Sequence, residues 1–325
     1  MKNNTTGLFI IGVIMGGVLM LSMIAFNTLG RSNQTAAFAP TQDHLPRLIA
    51  LEPTGVRPQV TPTLVSPTMT SEPHNRYVEV PASPTATPLT LSNKHQAEII
   101  GYSTKGKPLH LYTFGKGNHE RMIVAGIHGG DEWNTVTLAN QLIKYVDHNP
   151  DVVPDDMTLY ILPNLNPDGE ARAHSKYGRV NDNGVDLNRN FPVNWLQDWD
   201  RGGCWNSLAT SGGTGPGSEV ETQVLINFIN THNIEALISY HSAALGVFPG
   251  GLPWEGDSIR LARSIAEVSP YPFPPIDTGC TYSGTLADYA VSKGMAAVDL
   301  ELTNHFDTDF EQNLDILNVL LSFVP

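Results

Sequence analysis

The sequence predicts an α/β fold: a mixed, mostly parallel open sheet with helices on both faces. Three observations lead there. Beyond residue 92, short β-rich runs alternate with longer segments of helical spacing, a pattern that covers both sides of a sheet. Titratable residues stand at or near the ends of three of those runs, where open sheets gather functional groups. A chain of 325 residues with 41% apolar content also has enough material for a sizeable core.

Two segments precede that fold. Residues 7–26, GLFIIGVIMGGVLMLSMIAF, carry no charge. At ~1.5 Å per residue such a run as a helix crosses roughly 30 Å of hydrocarbon. Residues 1–29 are therefore expected to form a signal anchor with a transmembrane helix at about 7–26. A cleaved secretory signal would have an apolar core of only about 7–15 residues with its small-residue site close behind. The one tempting site, Ala37-Phe38-Ala39, lies well past the run. Residues 30–92 are rich in Pro, Thr, Ser and Ala, as in TPTLVSPTMTSEP and PASPTATPLTLS. Such a stretch buries too little to offset chain entropy and is expected to be a disordered, semi-extended tether. The folded domain is expected over 93–325. The expected location is the cell membrane, single-pass with this domain outside the cytoplasm, or secreted if the N-terminal segment is cleaved.

The net charge of −13 has no Lys/Arg-rich stripe against it, which argues against a nucleic-acid partner. Cys204 and Cys280 are the only cysteines. In an oxidising compartment they could pair, and two buried free thiols are the alternative.

Within the domain, MIVAGI (122–127) reads as a strand ending at His128, and WNTVTLANQLIKYV as the helix after it. TLYILPNLN (158–166) is a second strand. SEVETQVLINFINTHN (218–233) is a helix with Ser218 as N-cap and Glu221 completing a capping box. IEALISY (234–240) is a strand ending at His241. SGTLADYAVSKG is a helix closed by Gly294, AAVDLEL (296–302) a strand carrying Glu301, and 309–323 the last helix. Strand alternation puts Asp299 and Glu301 on one side, opposite Val298 and Leu300.

A zinc hydrolase needs three N/O ligands and one open position, commonly two His and one Glu. GIHGGDEWNT offers His128 and an acidic residue at a Gly-Gly bend, and SYHS offers His241. These runs, followed in order through the chain by NPDG (166–169), GVDLNRNF (184–191) and LEL (300–302), resemble the zinc carboxypeptidase family typified by pancreatic carboxypeptidase A. The resemblance covers roughly 94–325, and the domain is similar in size to compact bacterial members that trim peptidoglycan peptides.

The resemblance implies one Zn²⁺ held by His128, Glu132 and His241. The family usually leaves two residues between its first His and Glu, which would select Asp131; HGGDE has one more. Glu132 is preferred because Trp133 matches the residue that often follows the family's Glu, and because Glu reaches further. The resemblance further makes Glu301 the catalytic base, Asn188 and Arg189 the pair that binds the substrate's terminal carboxylate, and Arg179 the group stabilising the developing oxyanion. Tyr282 is the nearest candidate for the family's mobile tyrosine, although its spacing differs. Around the pocket for the terminal side chain, Leu286 and Ala287 offer no buried charge that would select a basic or acidic residue; Asp288 would, but it is expected rather to start its helix or face outward. The implied substrate is a peptide or muropeptide with a free C-terminal carboxylate. Alternatives are an acyl-amino-acid deacylase of the same superfamily and an inactive peptide- or wall-binding module.

Overall fold

The computed structural model describes residues 88–91, 97–244 and 246–325. The expected transmembrane helix and all but the last few residues of the expected linker lie outside the described residues. Among the described residues, no helix is long and apolar enough to cross a membrane.

The chain opens with two antiparallel strands, β1 (Glu98–Tyr102) and β2 (Pro108–Gly115). β3 (His119–Val124) leads through a tight loop to helix α1 (Trp133–His148), and β4 (Met157–Leu162) to the short helix α2 (Pro167–Glu170). After a long, mostly irregular stretch come α3 (Val220–Thr231), β5 (Ile234–Ser242) and β6 (Gly246–Pro249). Helix α4 (Gly256–Val268), α5 (Leu286–Ser292), β7 (Ala296–Leu302) and α6 (Phe310–Ser322) complete the chain.

The strands form one sheet in the order β1-β2-β4-β3-β5-β7-β6. Its four central strands, β4, β3, β5 and β7, are parallel, while β1, β2 and β6 join antiparallel at the edges. The sheet is thus mixed as expected, with its parallel part confined to the centre. The sequence reading did not mark β1, β2 or β6; β1 and β6 are edge strands, which need bury only part of one face.

Apolar side chains divide by strand parity. Ile123, Ile238 and Val298 pack with Leu138 and Leu142 of α1, Leu261 of α4 and Leu317 of α6. Met122, Leu237 and Ala297 pack on the opposite face with Leu225 of α3 and Leu286 of α5. Each fully buried Val, Leu, Ile or Met side chain among them contributes about 1.5–3 kcal/mol from removal of apolar surface from water. The second face gives way to polar residues near the carboxyl ends of β5 and β7. There Ser239 pairs in register with Asp299, and His241 with Glu301.

Several expected boundaries shift, β4 among them, which ends at Leu162 rather than running on to residue 166. Helix α3 starts at Val220 with Glu219, not Ser218, as N-cap residue. Ser218 Oγ instead donates to Glu219 Oε1 at 2.7 Å and meets Asn190, so its hydroxyl serves the loop before the helix. Strand β3 ends at Val124, which leaves His128 in the following loop rather than at the strand's last position.

Candidate zinc site and substrate cleft

The loop after β3 folds back sharply. Gly130 takes φ 67°, and a Cβ on Gly129 would stand 2.2 Å from the carbonyl carbon of Gly169. Both positions therefore demand glycine, and the bend they allow turns His128 and Glu132 toward each other. His128 Nδ1 lies 2.9 Å from Glu132 Oε1, and His241 Nδ1 lies 3.2 Å from Glu132 Oε2 and 3.3 Å from His128 Nδ1. All three side chains are buried. Asp131, the alternative carboxylate, lines the cleft but is not in this cluster.

Each imidazole is gripped from behind. His128 Nε2 is 2.8 Å from Asp186 Oδ1. His241 Nε2 lies 3.1 Å from Ser239 Oγ, 3.3 Å from Asn188 Nδ2 and 3.6 Å from Asp299 Oδ1. Burial works to raise the Glu132 carboxyl, yet His128 and His241 hold it well below the usual carboxylate range. Burial likewise opposes the charge on His241, but Asp299 and Glu132 hold it well above an ordinary histidine.

Around this cluster opens a cavity of about 740 Å³. Glu301 lines it, with Oε2 accepting from the Ala244 N–H at 3.0 Å. Burial pushes the Glu301 carboxyl up, His241 opposes the shift and Glu132 adds to it. Arg179 donates from Nε to Asp186 Oδ2 and from Nη1 to Glu132 Oε1, both at 3.0 Å, with its guanidinium 4.8 Å from the Trp205 ring centre. Arg189 is buried, its Nη1 donating to the Asn188 carbonyl at 2.7 Å and its Nε without a hydrogen-bond partner. The rings of Trp199 and Tyr282 lie 5.3 and 5.4 Å from the Arg189 guanidinium carbon. A disulfide between Cys204 and Cys280, 76 residues apart, joins two segments of the cavity wall.

The family model for zinc carboxypeptidase matches residues 90–260, which is more than half of the chain. The chain belongs to the zinc carboxypeptidase family. Mast cell carboxypeptidase A of Rattus norvegicus is 30% identical over 230 residues, covering 60% of this chain and 55% of that protein. Murein peptide amidase A of Escherichia coli K12 is 34% identical over 155 residues, covering 44% of this chain and 58% of the relative. The chain thus spans little more than half the length of these curated relatives. Among solved structures, the murein-tripeptide amidase MpaA from Escherichia coli O157 matches with TM-score 0.54 and 25% identity, over 72% of this chain and 94% of that one. Bovine thrombin-activatable fibrinolysis inhibitor, at TM-score 0.55 and 22% identity over 70% of this chain and 89% of that one, shares the fold.

The zinc that a zinc carboxypeptidase uses fits the residues present. Ligands about 2.05 Å from a tetrahedral centre stand about 3.3 Å apart, close to the nitrogen and oxygen separations found here. Two imidazoles and one carboxylate are a usual donor set for a hydrolytic zinc, and buried partners behind both imidazoles are the usual support.

The structure brings all eight residues singled out from the zinc carboxypeptidase resemblance to the cluster or the cavity around it. Six fall inside the matched segment, whereas Tyr282 and Glu301 lie beyond it. Three further residues emerge. Asp186 lay inside the GVDLNRNF motif without a role, although an acid there was a visible signal. Asp299 was legible only as the same-face neighbour of Glu301. Asp288 corrects an expectation: it does sit in the first turn of α5, but it is 6% exposed and lines the cavity rather than facing out. Its Oδ1 accepts from the Gly251 N–H at 2.7 Å, a contact between distant segments that local pattern could not show.

Proposed function

We propose that this chain is a metallocarboxypeptidase that removes the C-terminal residue from peptides or muropeptides outside the cytoplasm. The observation that carries this is the joint placement of Arg189 and the His128–Glu132–His241 cluster around one cavity. A zinc ion held by His128, Glu132 and His241 supplies Lewis-acid polarisation of the scissile carbonyl and acidifies water.

The chain's own residues do the rest. Arg189, buried and with an unpartnered Nε, binds the terminal carboxylate, a task suited to a planar fork of donors. Asn188 positions it: Oδ1 accepts from the Leu286 N–H at 2.8 Å while Nδ2 reaches Asp299 at 3.2 Å, so the Arg loop is tied to both α5 and β7. Glu301 takes a proton from the attacking water and delivers it to the leaving amine. Its raised carboxyl suits both transfers, since a base closer to neutrality passes a proton on readily. Arg179 faces the charge that develops on the carbonyl oxygen. Tyr282 closes over the bound terminus beside Arg189.

An extracytoplasmic setting is supported by the Cys204–Cys280 disulfide, by the apolar run at 7–26 and by the Pro/Thr-rich segment behind it. Anchored by that run, the domain would reach along the tether into a cell wall, and the likeness to murein peptide amidases supports muropeptide stems as substrates.

The deciding experiment compares a peptide with a free C-terminus against the same peptide amidated, before and after chelation. Hydrolysis of the free form alone, lost on chelation and restored by zinc, is expected. Equal cleavage of the amidated peptide would overturn the carboxypeptidase assignment in favour of a deacylase or endopeptidase. Zinc binding without turnover of any peptide would favour a binding module.

A further inference from the structure

A chain of hydrogen bonds ends on an unused ring nitrogen at the cleft. Asn134 is fully buried and holds the turn that follows β7, its Nδ2 lying 2.7 Å from the Asn304 carbonyl oxygen and 2.8 Å from that of Asp307. The same turn is closed from within by Asn304 Oδ1, which accepts from the N–H groups of Phe306 and Asp307, both at 2.7 Å. His305 sits inside this turn and lines the cavity together with Glu301. Its Nδ1 is 3.1 Å from Ser242 Oγ, which in turn is 2.9 Å from Asn134 Oδ1.

Proton accounting fixes the state of the ring. Carbonyl oxygens only accept, so the Asn134 atom facing them is its amide nitrogen, and the atom facing Ser242 is an acceptor oxygen. Ser242 has one hydroxyl hydrogen to give. Sent to His305, it would leave Asn134 Oδ1 buried without a donor, the costlier arrangement. Ser242 therefore donates to Asn134 and accepts from His305, which places the ring hydrogen on Nδ1. In the neutral imidazole Nε2 is then a bare acceptor. Among the described residues it has no hydrogen-bond partner, and it is open rather than enclosed.

The neighbours of the ring tell which part of a substrate would meet it. Arg189 reaches the metal cluster through Asn188, whose Nδ2 is 3.3 Å from His241 Nε2. His305 reaches it through Ser242, whose N–H is 3.2 Å from Glu132 Oε2. In a bound peptide only one residue separates the carboxylate on Arg189 from the carbonyl at the cluster. A wall built on the Glu132 side therefore meets the chain upstream of that carbonyl, where amide N–H groups are the available donors.

We propose that His305 is a substrate-binding residue, its Nε2 accepting an amide N–H of the peptide on the acyl side of the scissile bond, so that substrates carrying an N–H there are preferred. The proposal rests on the reading of Arg189 and the cluster as a peptidase site. Because Asn134 and Asn304 hold the turn in place, the acceptor is already positioned and little freedom is lost when a peptide binds.

The test uses the full-length zinc-loaded protein and a peptide with a free C-terminus. In two analogues, each of the two amide N–H groups upstream of the scissile bond is replaced in turn by an ester oxygen, which removes the donor without adding bulk. In wild type, one of the two replacements is expected to lower kcat/KM about ten-fold. In His305→Ala the parent peptide is expected to fall by a similar factor, mainly through KM, while that ester analogue falls no further. A merely structural role would lower both peptides alike. That parallel loss, or a wild-type enzyme indifferent to both replacements, would overturn the assignment. Nitrogen-15 NMR at about pH 8.5, with the ring assigned by its absence from His305→Ala, is expected to show the Nδ1–H tautomer. The Nε2–H tautomer would equally overturn it. If no peptide is cleaved, the hydrolase reading falls and calorimetric binding of the same peptides decides the role of His305 separately. Tighter binding of the parent than of one ester analogue, lost in His305→Ala, would sustain it, whereas equal or absent binding would end it.

Discussion

Asp186 braces His128 from behind, its Oδ1 2.8 Å from His128 Nε2 while its other oxygen accepts from Arg179 Nε at 3.0 Å. One carboxylate thus fixes a metal-cluster imidazole and the guanidinium beside it. Asp186→Asn keeps the shape and weakens the charge-assisted hold on the ring. Zinc affinity is expected to fall about 10–100-fold, measured by competition with a chromophoric chelator. An unchanged affinity would show that the ring is held well enough by packing alone.

The choice between neighbouring acids is equally open to measurement. Glu132 touches both imidazoles, whereas Asp131 is outside the cluster. Glu132→Gln is expected to lose bound zinc on dialysis, and Asp131→Asn to retain one equivalent by elemental analysis. The reverse result would place the ligand one residue earlier.

Removing the disulfide should cost stability without costing metal. Cys204 and Cys280 lie 76 residues apart in sequence, and on the chain-entropy model a loop of that size is worth about 4 kcal/mol. For a domain of this size the Cys204→Ser/Cys280→Ser double variant is expected to melt about 10 °C lower. Neither cysteine adjoins the cluster residues in sequence, so zinc content should stay at one equivalent.

Glu170, which does not line the cleft, gives a pH signature of its own. Burial raises its carboxyl to about 7, against a weaker opposing pull from Lys107, and its buried Oε2 has no hydrogen-bond partner. A carboxyl raised in the folded state contributes stability that is complete below its unfolded value and is lost as pH climbs through the folded one. Wild type is therefore expected to lose roughly 2–3 kcal/mol from this group between about pH 4.5 and pH 8. Glu170→Gln should remove that loss, so the melting temperatures of variant and wild type should diverge in the variant's favour as pH rises. A constant offset between pH 5 and 8 would rule the linkage out.

Much of the chemistry was legible because it is carried by short local motifs. HGGDEW, DLNRNF and SYHS each concentrate polar residues in a few positions, and the central strands announce themselves through short β-rich runs. AAVDLEL matched its strand from first residue to last. What stayed hidden depends on contacts between distant segments. Asp288 reads locally as an ordinary first-turn acid, and only the approach of Gly251 and the cavity wall makes it buried. The pairing of Cys204 with Cys280 is of the same kind, since two cysteines alone cannot tell a bridge from two thiols. Edge strands β1 and β6 escaped because their partners, not their own residues, hold them in the sheet.

The register that sets His241 beside Glu301 also divides the protein by how freely it can change. A single-residue insertion in β5 or β7 would turn every side chain of that strand to the other face, separating the two groups at one stroke. The segments joined by the disulfide answer to no such ladder. New selectivity can therefore evolve, or be engineered, by exchanging the loops around Cys204 and Cys280 together with the first turn of α5. The paired strands beneath would pass unchanged from one such enzyme to the next.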